Sequence, residues 1–116
     1  MAPHVLIAGV GMVPFRRPGQ SDPYDVMAEG AVRAALDDAQ LDYDLVDQAF
    51  ASFVYADSCS GQRALYRVGM TGIPVVNVNN NCSSGSTALQ LARTAVLSGE
   101  AECALAVGFE EMLPGA

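Results

Sequence analysis

Lysine and tryptophan are absent from this sequence, and positive charge is scarce. The six cations are all arginines, and they stand against thirteen carboxylates, which gives a formal net charge of −7. An acidic chain is repelled by the phosphates of nucleic acids and by anionic lipid headgroups. We therefore expect neither nonspecific nucleic-acid binding nor attachment to an anionic membrane surface.

Long apolar stretches are missing as well. No uninterrupted run approaches the roughly 18–20 apolar residues that a membrane span requires. The longest run, residues 5–13, contains two glycines and is followed by Pro14, and no basic segment precedes it. A secretory leader begins with such a basic segment. The sequence therefore predicts a soluble protein without a membrane span.

Cysteines are few, and their spacing fits no redox or zinc motif. Cys82 lies 23 residues after Cys59 and 21 residues before Cys103, so there is no C-x-x-C pair. Three cysteines cannot all pair within one chain, and we expect a reduced, cytoplasmic protein. The carboxylates also lack the convergent spacing of metal ligands, so no metal is expected.

The pattern of apolar residues predicts a small α/β domain. The 116 residues are 51% hydrophobic and 16% charged, which fits one folded unit. Four short apolar runs predict buried strands, at residues 5–13, 49–56, 75–78 and 103–109. Helices are expected after Pro23, around Arg63 to Tyr66, and from just after Cys82 to Ser98, where Gly99 ends the last one.

This alternation predicts a βαβαβαβ order and a mostly parallel sheet with helices on both faces. Ser21 or Asp22 is expected to cap the first helix, whose alanines would allow close approach to the sheet. Three helices are few for four strands that are apolar on both faces, and only a short segment follows the fourth strand. Residues 1–116 are therefore expected to form one incomplete domain.

Several glycine, carboxylate and arginine motifs can mark a ligand-binding site, but none of them is expected to form one here. Gly9 and Gly11 follow an apolar run, but Pro14 occupies the third glycine position of the dinucleotide fingerprint, so a turn is expected instead. The Glu110-Glu111 pair and the scattered aspartates are expected to be solvated. Arg63 and Arg67 lie one helical turn apart, which favours a surface or subunit-contact face over an anion site.

Cys82 is the candidate with the clearest chemistry. It stands where the third strand gives way to a helix, and unpaired amides together with the helix dipole favour a thiolate at such a position. Small polar neighbours leave room for a substrate carbonyl, and backbone N–H groups can stabilise an oxyanion. The pattern favours a nucleophile over a structural loop cysteine. The residues expected to support it are Asn79, Asn80, Asn81, Ser83 and Gly85.

The remaining candidates are weaker. Cys103 lies inside an apolar run and is expected to be a small core residue. Cys59 lies between two serines at a strand-to-helix turn, where a structural role is favoured over a second pocket thiol. His4 is the only histidine, and we do not expect it to be the base for Cys82.

Residues 57–112 as a whole resemble the thiolase superfamily, in particular the sterol carrier protein X-type thiolases, which are also described as lipid-transfer proteins or acetyl-CoA acetyltransferases. The resemblance rests on the blocks GQRALY at 61–66, GMTGIP at 69–74 and VNVNNNCSSGSTAL at 76–89. The opening GVGM at 9–12 and the closing AVGFEEM at 106–112 fit the same subfamily. It covers nearly the entire chain and is most specific around Cys82.

The resemblance implies a thiolase-like fold and an acyltransferase of fatty-acid or sterol side-chain metabolism. Cys82 would attack a 3-ketoacyl-CoA, hold the acyl group as a thioester and pass it to a second CoA, with its own N–H in the oxyanion hole. Coenzyme A is then a substrate, and neither a cofactor nor a metal is implied. A homodimer or tetramer follows by resemblance, as does a peroxisomal location in a eukaryote.

The resemblance also implies that the catalytic histidine, a second cysteine and most CoA-binding elements belong to a later half of the fold. None of these maps onto residues 1–116, so we expect negligible thiolase activity from this polypeptide alone. The asparagines before Cys82 are expected to hold their loop and to help shape a dimer contact. The alternatives are a ketosynthase or retro-aldolase relative, and a non-catalytic subunit acting by protein–protein interaction.

Overall fold

A computed structural model describes residues 4–115. Three helices and three strands alternate in the order α1, β1, α2, β2, α3, β3. Their bounds are Tyr24–Ala39 for α1, Gln48–Ser52 for β1, Ser60–Leu65 for α2, Val75–Val78 for β2, Ser84–Leu97 for α3 and Ala104–Gly108 for β3, with a short 3-10 helix at Tyr43–Leu45. The predicted α/β alternation is confirmed from residue 24 onward. None of the helices within residues 4–115 has both the length and the apolar character of a membrane span.

The three strands form one parallel sheet in the order β2-β1-β3. Ala49 of the central strand pairs with Val75 on one side and with Leu105 on the other. Parallel neighbours require a crossover connection, and α2 and α3 supply the two crossovers. All three strands therefore end at the same edge of the sheet.

Both faces of the sheet are covered by helices, as predicted. On one face, α1 and α2 pack against Ala49 and Ala51 of β1. On the other face, α3 packs against Phe50 and Val78 through small side chains on one stripe, Ala88, Ala92 and Ala95. Because these side chains are small, the helix backbone comes close to the sheet. Gly99 has φ +84° and ends α3 where the sequence predicted.

The first predicted strand, residues 5–13, is wrong. Among the described residues no strand pairs with this segment, and its large apolar side chains are exposed, with Leu6 at 84%. The segment instead lies along α1, so close that a Cβ on Gly9 would be 2.6 Å from the amide nitrogen of Ala39. Ala31, Ala35 and Ala39 of α1 thus lie against an extended segment, whereas Ala28 packs in the core beside the sheet. An apolar run can predict an extended backbone, but it does not show whether a second strand lies beside that backbone and pairs with it.

The predicted cap of α1 at Ser21 or Asp22 is also wrong. The helix begins at Tyr24 after Pro23, and no side chain at the N-cap bonds to it. The amide of Tyr24 donates instead to Glu111 Oε1 at 2.8 Å, from a segment 87 residues away. A carboxylate near a helix N-terminus also interacts favourably with the helix dipole.

Arg63 and Arg67 lie on the surface, as predicted, and both also contact α1. Arg63 Nε lies 3.6 Å from Asp25 Oδ2 while its side chain stays 70% exposed. Arg67 Nε lies 2.9 Å from Glu29 Oε1 and its Nη1 lies 3.6 Å from the largely buried Asp25. Arg33 also bonds Glu29 at 2.9 Å and donates to the carbonyl of Arg67. Hydrogen bonds from Arg33 and then Arg67 hold the pKa of Glu29 below its ordinary value. These ion pairs join α1 to α2.

We predict that Glu29→Gln lowers thermal stability slightly at pH 7 and not in acid. The pKa of Glu29 is depressed in the folded chain, so its stabilisation is present above the ordinary value of 4.5 and is lost as the pH falls through the lower folded-state value. Thermal melts of wild type and variant should differ at pH 7 and converge once the pH falls below that lower value. Glu100→Gln, at an exposed site, is the control; a Glu29→Gln difference that persists in acid would contradict the assignment.

We predict that Gly11→Ala detaches the N-terminal segment from α1. A Cβ at this position would meet the backbone of Ala31 and Ala35. The amide of Val10, which donates to Asp38 Oδ2 at 2.8 Å, should then exchange its hydrogen roughly tenfold faster. Gly85→Ala is the matched control, because a Cβ there meets nothing within 4 Å. Unchanged exchange at Val10 would show that the contact is not tight.

Candidate functional site

The carboxyl ends of the three strands place three loops side by side. The chain leaves β2 toward Asn79, leaves the central β1 toward Phe53, and leaves β3 toward Phe109. In open parallel sheets, ligands bind in the crevice outside this edge. The candidate residues that the sequence singled out after β2 therefore lie where such a sheet binds ligands.

Cys82 lies in the tight turn that connects β2 to α3. The amides of Ser83 and Ser84 donate to the carbonyls of Asn80 and Asn81, each at 3.1 Å. Asn81 has φ +53°, a left-handed conformation that asparagine tolerates better than most residues. Cys82 is exposed and unbridged, two residues before the first residue of α3.

Side chains from both ends of the turn hold its shape. Ser84 Oγ donates to the carbonyl of Asn81 at 2.7 Å and accepts from the amide of Asn80 at 2.8 Å. Asn80 Nδ2 donates to Thr87 Oγ1 at 2.9 Å, and Asn79 Oδ1 accepts from the amide of Asn81 at 3.1 Å. The loop-holding role expected of Asn79 and Asn80 thus has contacts that support it.

Asn81 and Ser83 contribute differently from Asn79 and Asn80. The side chain of Asn81 bonds to no other described residue, and Asn81 acts through its backbone conformation instead. Ser83 Oγ donates to the carbonyl of Asn80 at 2.8 Å, within the turn itself. Of the three asparagines expected to hold the loop, Asn79 and Asn80 have side-chain hydrogen bonds within it and Asn81 contributes its backbone conformation, while the dimer contact stays a prediction.

Backbone amides without an acceptor among the described residues lie close to Cys82 in the sequence. The amides of Cys82, Gly85 and Ser86 have no acceptor among residues 4–115. A Cβ on Gly85 would meet nothing within 4 Å, so the space beside the first turn of α3 is open. Backbone N–H groups without an acceptor at a helix N-terminus can donate hydrogen bonds to the negative oxygen of a tetrahedral intermediate.

The other two cysteines and the histidine lie in different surroundings. Cys59 is exposed at the start of α2 with φ +63°, at the predicted strand-to-helix turn. Cys103 is half-buried before β3, and burial, then the charge of Asp47, raises the pKa of its thiol. His4 is exposed in the N-terminal segment.

The prediction that Glu110, Glu111 and the aspartates are solvated is wrong for Asp25, which is buried at 8% exposure. Four other carboxylates, of which Asp38 and Asp47 are exposed as predicted, accept hydrogen bonds from distant backbone amides. Glu110 accepts from the amides of Val54 and Tyr55, at 2.9 Å each, and Glu111 accepts from Tyr24. Asp47 accepts from the amides of Glu102 and Cys103, and Asp38 accepts from Val10. All of these contacts span 28 or more residues, so no local sequence signal identifies them.

An amide network beside β2 was also missed by the sequence analysis. Asn77 Oδ1 accepts from the amide of Gly61, and Asn77 Nδ2 donates to Gln62 Oε1, both at 2.7 Å. Gln62 Nε2 in turn donates to the carbonyl of Val75 at 3.2 Å. A Cβ on Gly61 would lie 2.6 Å from the Cβ of Ala51, so only glycine fits at this position of α2. The glycine inside this helix is the one feature of the sequence that could have indicated the close packing. This network attaches α2 to the strand that leads to Cys82.

An apolar cleft of about 390 Å³ lies at the end of β3, between residues 11–17 and the segment from Gly108 to Met112, and Cys82 does not line it. Within residues 4–115 there is no cluster of three or more metal-ligating side chains.

Comparison with known proteins assigns the family. The thiolase N-terminal domain matches residues 5–114 of the chain. The chain belongs to the thiolase N-terminal domain family. This thiolase domain is 54% identical to human sterol carrier protein 2 over 114 residues, which are 96% of the chain and 21% of the human protein.

Two further relatives have names that point to different functions, lipid transfer and thiolysis. The chain is 46% identical to the non-specific lipid-transfer protein-like 2 of Caenorhabditis elegans, over 97% of this chain and 28% of that protein. It is 34% identical to the benzoylsuccinyl-CoA thiolase subunit BbsB of Thauera aromatica, over 91% of this chain and 28% of that subunit. The thiolase domain thus spans between about a fifth and three tenths of these curated relatives.

Solved structures show the same fold. The 3-oxoacyl-[acyl-carrier-protein] synthase III of Aquifex aeolicus superposes with a TM-score of 0.75 at 21% identity, over 83% of this chain and 32% of that one. The acetyl-CoA acetyltransferase of Syntrophomonas wolfei also gives a TM-score of 0.75, at 22% identity, over 82% of this chain and 26% of that one. The predicted thiolase-like fold class, present here as a partial fold, is confirmed.

We predict that Ser84→Ala lowers the free energy of unfolding by about 1–3 kcal/mol. Ser84 is 5% exposed, and its removal leaves the amide of Asn80 without its acceptor. Urea denaturation of the two proteins measures the difference. Ser86→Ala removes a hydroxyl from an exposed site on the same helix and should have little effect. Equal losses in the two variants would show that the Ser84 contacts do not hold the turn.

Proposed function

We propose that this chain forms the nucleophile-bearing part of a thiolase. In this proposal Cys82 accepts the acyl group of a 3-ketoacyl-CoA and passes it to coenzyme A. The observation that supports it most directly is an exposed thiol in a turn of fixed shape, beside backbone amides without acceptors among the described residues. The thiolase subunit among the relatives supports the same chemistry.

The residues in this turn suit each step of acyl transfer. The sulfur of Cys82 attacks the ketone carbon, and the amides at the start of α3 bind the negative oxygen of the adduct. The carbon–carbon bond then breaks, acetyl-CoA leaves with the thiol proton on its methyl group, and the acyl group remains as a Cys82 thioester. The thiol of a second CoA attacks the thioester, and Cys82 regains a proton. Coenzyme A is a substrate here, and the reaction needs no metal or other cofactor.

The proposal assigns the base to a residue outside the described turn. Among residues 4–115 no side chain hydrogen-bonds the thiol of Cys82, and the sequence contains a single histidine, His4. A positioned base normally activates a thiol nucleophile. We therefore propose that the 116-residue chain alone has negligible thiolysis activity and that the remainder of a thiolase supplies the base. Robust cleavage of acetoacetyl-CoA by the purified chain would contradict this.

A condensing ketosynthase is the second candidate function. The ketosynthase III and acetyltransferase structures superpose equally well, so the fold does not separate the two chemistries. Single relatives do not separate them either, since identity is 34% to the thiolase subunit and 33% to the beta-ketoacyl-[acyl-carrier-protein] synthase III 4 of Streptomyces coelicolor. The match of residues 5–114 to the thiolase N-terminal domain favours the thiolase. Transfer of an acyl group from acyl-CoA to CoA, compared with transfer to an acyl-carrier protein, would distinguish them in a full-length protein. A dimeric or tetrameric assembly and a cytoplasmic or peroxisomal location remain parts of the proposal.

The reactivity of Cys82 tests the proposed nucleophile. We expect iodoacetamide to alkylate Cys82 roughly tenfold faster at pH 7 than it alkylates N-acetylcysteine, because the amides at the start of α3 stabilise negative charge on sulfur. Peptide mapping by mass spectrometry separates Cys82 from the other two thiols, and a pH series gives the profile of each.

The same molecule contains an internal control. Cys59 is also exposed at a helix start, but α2 has only six residues and a weaker dipole. Cys82 should react faster than Cys59, and Cys82→Ser should abolish the fast phase while retaining the fold. Alkylation of Cys82 no faster than that of N-acetylcysteine would remove the argument for an activated thiol.

A further inference from the structure

Glu110 stands out because its carboxylate holds the loop that leaves the central strand. Its two oxygens accept separately from consecutive amides, Oε2 from Val54 and Oε1 from Tyr55, both at 2.9 Å. A carboxylate that accepts two backbone amides forms stronger hydrogen bonds than a neutral acceptor does. The loop after β1 is thereby attached to the end of β3.

The residues on both sides of Glu110 are held by contacts of their own, which restricts the position of the Glu110 carboxylate. Phe109 is buried, and its ring stacks on Phe53 and on Tyr24, with centroid distances of 5.2 Å in both pairs. On the other side, Glu111 binds the first amide of α1. Glu110 therefore lies between two anchored residues.

The same loop contacts the strand that carries the candidate nucleophile. The amide of Phe53, directly before the two amides that Glu110 binds, donates to the carbonyl of Val78 at 3.3 Å. Val78 is the last residue of β2, and the turn that contains Cys82 begins at the next residue. Because β1 is central, its loop is attached to Glu110 on one side and to the Cys82 strand on the other.

We propose that Glu110 is a positioning residue for the Cys82 site. Its carboxylate fixes the loop after β1, and the Phe53–Val78 hydrogen bond transmits this position to the turn between Asn79 and Ser83. The inference rests on the proposed function only in taking Cys82 as the reacting thiol. Glu110 itself contacts no reacting atom in this proposal.

Amide hydrogen exchange, measured by NMR on the whole chain, tests the structural part. In Glu110→Ala we expect exchange at Val54 and Tyr55 to accelerate roughly tenfold or more, since both acceptors are lost. Glu110→Gln keeps one acceptor oxygen, so only one of the two amides should accelerate strongly. In both variants the amides of Ser83 and Ser84, which report on the Cys82 turn, should also exchange faster. Glu100→Gln makes the same chemical change at an exposed site and should alter none of these rates.

The pH profile of Cys82 alkylation tests the functional part. In Glu110→Ala, the dependence of the Cys82 alkylation rate on pH should become more like that of N-acetylcysteine. The change should be smaller in Glu110→Gln and absent in Glu100→Gln. If Glu110→Ala does not fold, the exchange rates and the alkylation profile of Glu110→Gln decide the question alone.

Two results would overturn the inference. One is faster exchange at Val54 and Tyr55 with unchanged exchange at Ser83 and Ser84 and an unchanged Cys82 profile. The other is acceleration spread equally over the amides of β1 and β3, which would indicate a general loss of stability. By contrast, if wild-type Cys82 reacts like N-acetylcysteine while Glu110 substitution still accelerates exchange at Ser83 and Ser84, the nucleophile proposal fails and the positioning role stands.

Discussion

The arrangement of this domain depends on carboxylates that accept hydrogen bonds from backbone amides far away in the sequence. The amides where the chain leaves a strand or enters a helix have no partner within that element, and such groups are costly when they lose water. Asp38, Asp47, Glu110 and Glu111 satisfy amides in the N-terminal segment, before β3, after β1 and at the start of α1. These four contacts attach the connecting segments to the α/β layers.

This use of carboxylates gives the acidic composition a structural meaning. Counted from the sequence alone, thirteen carboxylates and six arginines suggest a surface on which the negative charges repel one another. In the structure, Asp25 and Glu29 pair with arginines of α1 and α2, and four more carboxylates bind backbone donors. A lysine-free chain can therefore carry a large negative charge while placing much of it against positive partial charges.

Local sequence predicted the elements whose determinants are local. Strand β2, the end of α3 at Gly99 and the turn around Cys82 follow from apolar runs and small polar residues within a few positions. The segment at residues 5–13 did not become a strand, because pairing depends on a neighbour that the pattern cannot show. The cap of α1 came from Glu111 instead of Ser21 or Asp22, because the competing acceptor lies in a distant segment.

The same distinction between local and distant determinants applies to the proposed site, where the turn that carries Cys82 differs from its surroundings. The side-chain hydrogen bonds within the Cys82 turn join residues between Asn79 and Thr87, so a short sequence block specifies these contacts of the proposed nucleophile's turn. Its surroundings at the carboxyl edge of the sheet come from β1 and β3, through Phe53 and Glu110. The contacts inside the proposed nucleophile's turn therefore follow from a local sequence block, and its position at the edge of the sheet depends on distant contacts that the block does not contain.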